Sequence, residues 1–200
     1  MKKATFSGTR SILCKIILCL TVLMIAAGTA PAEGASPESA SGIEISFTFR
    51  RGTTIASNQL AVWVEDANGA VVKTLLVTDF TARRRGYRNR TMSRPVWVAA
   101  ADPESMTDEE IDTVSGATPG QGELVYVWDY TNQPGEHVPD GVYTIHVEGT
   151  FYWESDVLYT AVIDTTNPGK EIPVEMERTA PDTHENENMI TEVKIRAIPH

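Results

Sequence analysis

Hydrophobic residues recur at every second position over much of this 200-residue chain. The clearest case is residues 43–50, where Ile43, Ile45, Phe47 and Phe49 alternate with polar side chains. Successive side chains of a strand point to opposite faces, so this period predicts a strand with one buried face. Similar patterns predict strands at 60–64, 71–77, 124–128, 142–153, 157–163, 172–176 and 190–198. Short strands joined by turn sequences predict an all-β antiparallel sandwich of about seven or eight strands.

Individual strands carry finer predictions. Residues 66–69, Asp-Ala-Asn-Gly, predict a hairpin turn, because Asn-Gly tolerates positive φ. Residues 124–128 are apolar on both faces, which predicts a central strand. In the strand at 142–153 the parity places His146 on a polar face with Thr144 and Glu148. We expect the four tryptophans to pack in the core or at its edges: Trp63, Trp97, Trp128 and Trp153.

Residues 78–112 lack this alternation and predict a long irregular insertion. Its one local signal is Thr107-Asp108-Glu109-Glu110, a capping-box pattern that predicts the start of a short helical turn.

The N-terminus has the three parts of a secretory signal. Four basic residues precede or interrupt the start of an apolar run at 16–27, and Ala30-Pro31-Ala32 is a small-x-small cleavage site. The apolar run is shorter than the roughly 20 residues that a membrane-spanning helix needs. We therefore expect a signal peptide at 1–32, a flexible leader at 33–42, a sandwich domain at 43–200, and no stable membrane anchor after cleavage.

Composition excludes several classes of function. Cys14 and Cys19 both lie in the predicted signal, so the mature chain has no disulfide and no thiolate site. The chain carries 17 basic and 27 acidic residues. Removal of the four basic signal residues leaves 13 basic residues and a net charge of −14. Nucleic acid binding requires a basic surface, so we expect no nucleic acid partner.

The segment Asp112-Thr113-Val114-Ser115-Gly116-Ala117-Thr118 resembles the acceptor motif of bacterial flavin transferases, which attach FMN through its phosphate to the final Thr. The resemblance implies an exposed hydroxyl at Thr118 and small neighbours, Gly116 and Ala117, past which a transferase can approach. Asp112 and Ser115 would present the loop. In the flavin-binding family a helix usually follows the acceptor, whereas here Pro119-Gly120-Gln121-Gly122 leads into a strand. The alternative interpretation is a turn in which Asp112 and Ser115 bond nearby amides.

Six arginines lie within residues 83–94 of this acidic protein. Arginine suits bidentate recognition of phosphate or carboxylate. Four of them form the candidate anion site: Arg83, Arg84, Arg85 and Arg88. The alternative is pairing within the chain, with the acidic stretch at 102–112.

No other chemistry is indicated. The acidic stretch lacks the ligand spacing of a calcium loop, and the four histidines lack the spacing of a zinc site. No Gly-x-Ser-x-Gly elbow surrounds Ser115. We expect no metal and no catalytic residue.

Residues 128–144 resemble the immunoglobulin-like module of flagellar hook-cap scaffold proteins. The resemblance rests on Trp128-Asp129, the turn at Gly135, and the Val138-Pro139-Asp140-Gly141-Val142-Tyr143 entry into the next strand. We expect the Tyr143 hydroxyl to reach a backbone partner. A broader match, over roughly 43–163, is to an uncharacterised family of predicted periplasmic proteins.

These resemblances imply a periplasmic or secreted immunoglobulin-like sandwich. The function expected is a non-catalytic accessory or interaction module without a cofactor, whose partner is another periplasmic or membrane protein. The alternative is a redox protein that carries FMN covalently on Thr118 in an extracytoplasmic electron-transfer system.

Overall fold

The computed structural model describes residues 40–52, 58–83, 95–152, 155–179 and 189–199. Two sheets are stacked in it. One contains, in spatial order, β5 (Gly122–Trp128), β1 (Ala40–Phe49), β10 (Ile190–Pro199) and β8 (Glu171–Ile172). The other contains, in spatial order, β4 (Ser115–Gly116), β3 (Val71–Thr78), β2 (Gln59–Asp66), β6 (Val142–Tyr152), β7 (Ser155–Asp164) and β9 (Glu175–Thr179).

The predicted all-β sandwich is confirmed. The described residues form ten strands in sheets of four and six, and the sheets do not close into a barrel. Two of the ten, β4 and β8, are only two residues long. Strand pairs are antiparallel except β3–β4, which is parallel. The sandwich follows from the alternation, because each sheet buries one face against the other.

The main core lies between the two sheets. On β1 it contains the four residues whose alternation the sequence displays, all at most 1% exposed. From β2 and β6 it receives two further alternating sets: Leu60, Val62 and Val64, and Tyr143, Ile145 and Val147.

Among the described residues, three helices cover the other face of the six-stranded sheet: α1 (Asp79–Ala82), α2 (Val96–Ala101) and α3 (Asp108–Val114). They build a second core against β2 and β3, in which Trp63 and Trp97 are fully buried. The described part of the insertion is therefore a mostly helical layer, with a turn-rich link at 102–107. The sequence did not reveal a helical period in the insertion because each helix is at most seven residues long.

This layer corrects one prediction about β6. The face that holds His146 and Glu148 was expected to be polar, yet these residues are 8% and 1% exposed. The predicted division of β6 into two faces is correct, since Ile145 and Val147 face the main core. The polar parity became buried because α2 packs over it.

Two further strand predictions were wrong. Residues 124–128 form β5, which pairs only with β1 among the described strands and is an edge strand. Val125 and Val127 are 52% and 45% exposed there. The predicted strand at 172–176 is divided into β8 and β9, which belong to different sheets. Pro173 lies at the division, where a residue without an N–H cannot continue a ladder.

The predicted turns and the tyrosine contact are present. Asp66 Oδ1 accepts the backbone N–H groups of Asn68 and Ala70, and Gly69 has φ 79°. The Tyr143 hydroxyl donates to the Pro139 carbonyl at 2.6 Å. Trp128 packs against Tyr143 with ring centroids 5.1 Å apart.

Several predictions lie outside the described residues: the signal peptide, most of the leader, Trp153, and Arg84, Arg85 and Arg88. Among the helices that are described, none is long and apolar enough to cross a membrane.

Candidate functional site

The segment 112–118 joins the helical layer to the edge of the six-stranded sheet. Asp112 lies in the last turn of α3, and Ser115 and Gly116 form β4. Strand β4 pairs in parallel with the end of β3, with Ser115 opposite Val77 and Gly116 opposite Thr78. The alternative interpretation of this segment as a turn is therefore wrong: residues 112–116 are the end of a helix followed by a short edge strand.

The start of α3 is fixed by its capping box, as predicted from the sequence. Glu110 N donates to Thr107 Oγ1 at 3.2 Å, and Thr107 N donates to Glu110 Oε2 at 2.7 Å. These hydrogen bonds from Thr107 lower the pKa of Glu110 below its usual value. The box satisfies two N–H groups that a helix end leaves unpaired, and so it sets the position of the segment that follows.

Asp112 forms a salt bridge with Arg83, the first residue after α1. The hydrogen bond and the charge of Asp112 raise the pKa of Arg83. Pairing within the chain, the predicted alternative to anion binding, is thus what Arg83 does. The anion site as a whole stays a prediction, since its other three arginines are outside the described residues.

Gly116 has no structural reason of its own to be glycine. Its φ is not in the left-handed region. A Cβ added there would meet only Leu76 Cδ1, at 4.0 Å. Ser115 Oγ beside it is buried and has no hydrogen-bond partner among the described residues. A small residue and an unpaired hydroxyl thus adjoin at the sheet edge.

Thr118 is held by its backbone. Arg51, just after β1, donates from Nη2 to the carbonyl oxygens of Thr118 at 3.0 Å and Pro119 at 3.2 Å. Thr118 is partly exposed and Ala117 is exposed. Nothing in the sequence indicated Arg51, which is 67 residues from Thr118.

A cleft of about 540 Å³ lies beside the same segment, between the start of β3 and the helices α2 and α3. Most of its wall is apolar, from Ala70, Val71, Val72, Ala100, Ala101, Met106, Val114 and Pro134. Thr74, Glu110, Thr113 and Gln133 add polar groups. No sequence pattern predicted this cleft, because its walls come from four separate stretches of chain.

A buried carboxyl pair lies elsewhere on the same sheet. Glu148 on β6 accepts the backbone N–H groups of Val96 at 2.6 Å and Trp97 at 3.0 Å, at the start of α2. Burial raises the pKa of Glu148 well above its usual value, and the charge of neighbouring Asp156 adds to this. Burial also raises the pKa of Asp156, to about 6.

His146 is stacked on Trp63, with ring centroids 4.6 Å apart. Its Nε2 lies 3.4 Å from Glu65 Oε2, and burial lowers its pKa. Trp63 Nε1 donates to the other Glu65 oxygen at 2.7 Å. No group of three potential metal ligands occurs within the part of the chain that is described.

Residues 41–179, more than half of the chain, match the model of the family described as "Predicted periplasmic protein (DUF2271)". The predicted resemblance to an uncharacterised periplasmic family is thereby confirmed. The hook-cap-like module stays a prediction. No curated protein and no solved structure matches the chain.

Proposed function

Because the chain belongs to the DUF2271 family of predicted periplasmic proteins, we propose that it is a non-catalytic periplasmic module that carries FMN covalently on Thr118. Sequence patterns favour an accessory or interaction module, with the FMN carrier as the alternative. The arrangement of residues 112–118 favours the carrier. The immunoglobulin-like character of the sandwich belongs to the same proposal, supported by the Tyr143–Pro139 hydrogen bond, a contact typical of such domains.

The observation that carries the proposal is the room for a side chain at Gly116, where an added Cβ would meet only Leu76 Cδ1 at 4.0 Å. A glycine that neither φ nor packing requires is explained if an external molecule must approach the chain there. A flavin transferase that has to reach the Thr118 hydroxyl is such a molecule. Exposed Ala117 keeps the path between the two residues free of bulk.

The structure also holds the acceptor in place without occupying its hydroxyl. Arg51 binds the Thr118 carbonyl, and Thr118 Oγ1 has no hydrogen-bond partner among the described residues. The Arg83–Asp112 salt bridge and the capping box anchor the other end of the segment. An acceptor held in this way loses little conformational freedom when the transferase binds it.

Attachment is the work of the transferase and an activated FMN donor, flavin adenine dinucleotide. A bond forms between Thr118 Oγ1 and the phosphorus on the riboflavin side, and the pyrophosphate bond of the donor breaks. AMP leaves, and the hydroxyl proton passes to a base of the transferase or to water.

The neighbouring residues fit a phosphodiester. Its one negative charge would lie near the Arg51 guanidinium, and guanidinium groups form strong hydrogen bonds with phosphate oxygens. Ser115 Oγ is an unpaired polar group close to the attachment point. Bound FMN supplies reversible acceptance and release of electrons, which suits a carrier in an extracytoplasmic electron-transfer system.

The test is co-expression with a flavin transferase in a host that exports the protein, followed by intact-mass measurement. We expect the mass to increase by one FMN phosphoester and the increase to vanish in Thr118→Val. Thr166→Val, which removes an exposed hydroxyl in a distant turn, should keep the increase. Absence of the increase in the wild-type protein, or its persistence in Thr118→Val, would contradict the proposal.

A second candidate, the interaction module, is favoured by edge strand β5. Its seven residues pair on one side with β1, and its exposed Val125 and Val127 form part of the outer sheet face. Natural proteins usually protect such edges with charges, proline or a covering segment. A strand from another periplasmic or membrane protein could add to β5 through main-chain hydrogen bonds.

Photo-crosslinking in the native periplasm would test this second candidate. A crosslinking side chain at position 125 should give an adduct with one defined protein, identified by mass spectrometry. The matched control is position 162, where a valine is 61% exposed on β7. Equal labelling at both positions, or none at 125, would exclude β5 as the interface.

A further inference from the structure

The cleft beside β3 has the size and wall chemistry of a small-molecule site. Its volume of about 540 Å³ falls in the range of roughly 300–1,000 Å³ that is typical of ligand pockets. Such pockets have mostly apolar walls with a few placed polar groups. This one combines eight apolar residues with four polar ones.

Gln133 gives the cleft a fixed hydrogen-bond donor. Its backbone N–H donates to the Val72 carbonyl at 2.8 Å, and its Oε1 accepts the Thr74 N–H at 2.9 Å. Both bonds tie the residue to β3, so the orientation of the side-chain amide is set. The amide N–H groups have no partner within the described part of the chain, and they can donate to a ligand carbonyl.

Glu110 determines which end of a ligand can enter the cleft. Glu110 lines the wall, and the hydrogen bonds that its carboxylate accepts from Thr107 keep it ionised by lowering its pKa. A phosphate placed beside it would be repelled. A ligand with an anionic end and an uncharged aromatic end would therefore put the aromatic end in the cleft.

The cleft and the proposed attachment point are close together in the sequence. Val114 lines the cleft, and Thr118 follows four residues later. Four residues of extended backbone span at most about 14 Å. Arg51, on the Thr118 side, supplies the positive charge that the cleft lacks.

We infer that this cleft is the binding site for the isoalloxazine ring of FMN attached at Thr118, with the Gln133 amide donating to a ring carbonyl. This inference rests on the proposed function. It also provides the enclosure that the sequence did not predict, since the chain after Thr118 leads into β5 and not into a helix.

The experiment uses the full chain after co-expression with the transferase and reads out two quantities. Intact mass reports attachment, and quenching of flavin fluorescence by iodide reports how exposed the ring is. A pocket that covers 70–90% of its ligand should lower the iodide quenching constant by about three- to tenfold relative to free FMN.

Ala100→Phe fills the cleft from α2, at a residue outside both hydrophobic cores. We expect it to keep the mass increase and to raise the quenching constant to that of free FMN. Ala70→Phe, in the exposed β2–β3 turn, is a second filling variant whose folding is less at risk. Val162→Phe on β7 is the control and should change neither quantity. Thermal melting checks that each variant is folded.

The outcomes separate the two proposals. A mass increase with wild-type quenching equal to that of free FMN, or with quenching unchanged in both filling variants, overturns the cleft and leaves attachment at Thr118 standing. Absence of the mass increase overturns the attachment and the cleft together.

Discussion

Glu148 and Asp156 show how burial changes single residues in this fold. Glu148 is 1% exposed, and its carboxyl group accepts two backbone N–H groups of α2. Asp156 Oδ1 is buried without a hydrogen-bond partner among the described residues. Desolvation disfavours the charged form of each carboxyl group, so their pKa values rise. When the pair holds one proton, we assign that proton to Glu148, the more deeply buried of the two.

The raised pKa of Asp156 predicts that mild acidification stabilises the folded protein. The folded-state pKa is about 6, against about 3.9 in an unfolded chain. Between these values the folded state binds more protons, so the free energy of unfolding falls as pH rises from about 4 to 6. Above pH 6 the Asp156 contribution is complete, whereas Glu148, with its higher pKa, continues the fall. Asp156→Asn should make this slope shallower and add on the order of 2 kcal/mol of stability at pH 7, while Glu148 keeps the slope that remains. Urea unfolding at pH 4, 5, 6 and 7 measures it.

Asp164→Asn is the control for that experiment. Asp164 is fully exposed, and its hydrogen bonds with Thr166 lower its pKa, so its effect on stability has the opposite sign. The slope between pH 4 and 6 should survive in this variant. A slope as steep in Asp156→Asn as in the wild-type protein would contradict the raised pKa of Asp156.

Gly116 allows function and stability to be separated at one residue. Gly116→Ala should leave the free energy of unfolding within about 0.5 kcal/mol of the wild-type value, because a Cβ there has open space. We expect the same variant to slow FMN attachment, since the added methyl lies on the path of the transferase. Urea unfolding and time-resolved intact mass measure the two effects. Unchanged attachment would show that Gly116 has no part in recognition.

At the scale of elements, α3 is the clearest case of local sequence deciding local structure. Thr107 and Glu110 predicted where the helix begins, and both hydrogen bonds of the capping box are present. The helix continues past the expected single turn to Val114, because Ile111 packs into the second core. The local capping signals therefore determine where α3 begins, and packing against the second core extends the helix beyond its first turn.

Loss of the cap should therefore destabilise α3 and the segment that follows. Thr107→Ala removes the acceptor of the Glu110 N–H, at a cost on the order of 1 kcal/mol. Ser105→Ala, which removes an exposed hydroxyl just before the helix, should cost much less. Hydrogen exchange of the α3 amides, together with urea unfolding, would show the loss. Equal effects of the two variants would contradict a stabilising role for the cap.

At the scale of the whole molecule, stability depends on how closely β1 and β5 approach. A Cβ at Gly42 would meet the Trp128 carbonyl oxygen at 2.7 Å, a backbone atom that cannot turn aside. Gly42→Ala must therefore push β5 away from β1 and disturb Trp128, which is fully buried. We expect a loss of about 1–3 kcal/mol, measured by urea unfolding. Gly116→Ala, with its open surroundings, is the matched control, and a similar loss in both would refute this explanation.

Much of this architecture could be predicted from the sequence. The alternation on β1, the turn at Gly69, the cap at Thr107 and the contact of Tyr143 all depend on residues close together in the chain. The predictions that failed concern which strands and helices lie next to each other in the fold. The apolar composition of β5 did not show that it lies at an edge, and the polar parity of His146 and Glu148 did not show that α2 covers it.

The candidate site likewise has a local part that the sequence predicts and a tertiary part that it does not. The sequence by itself determined the motif at 112–118, the two-faced strands and the start of α3, because side-chain parity, turn geometry and capping are set within a few residues. Only the tertiary structure decided that Arg51 holds Thr118, that Gln133 lines a cleft near the motif, and that Glu148 meets α2. Those contacts join residues 50 or more apart, or pack separate elements together, and periodicity along one strand carries no information about which element lies opposite.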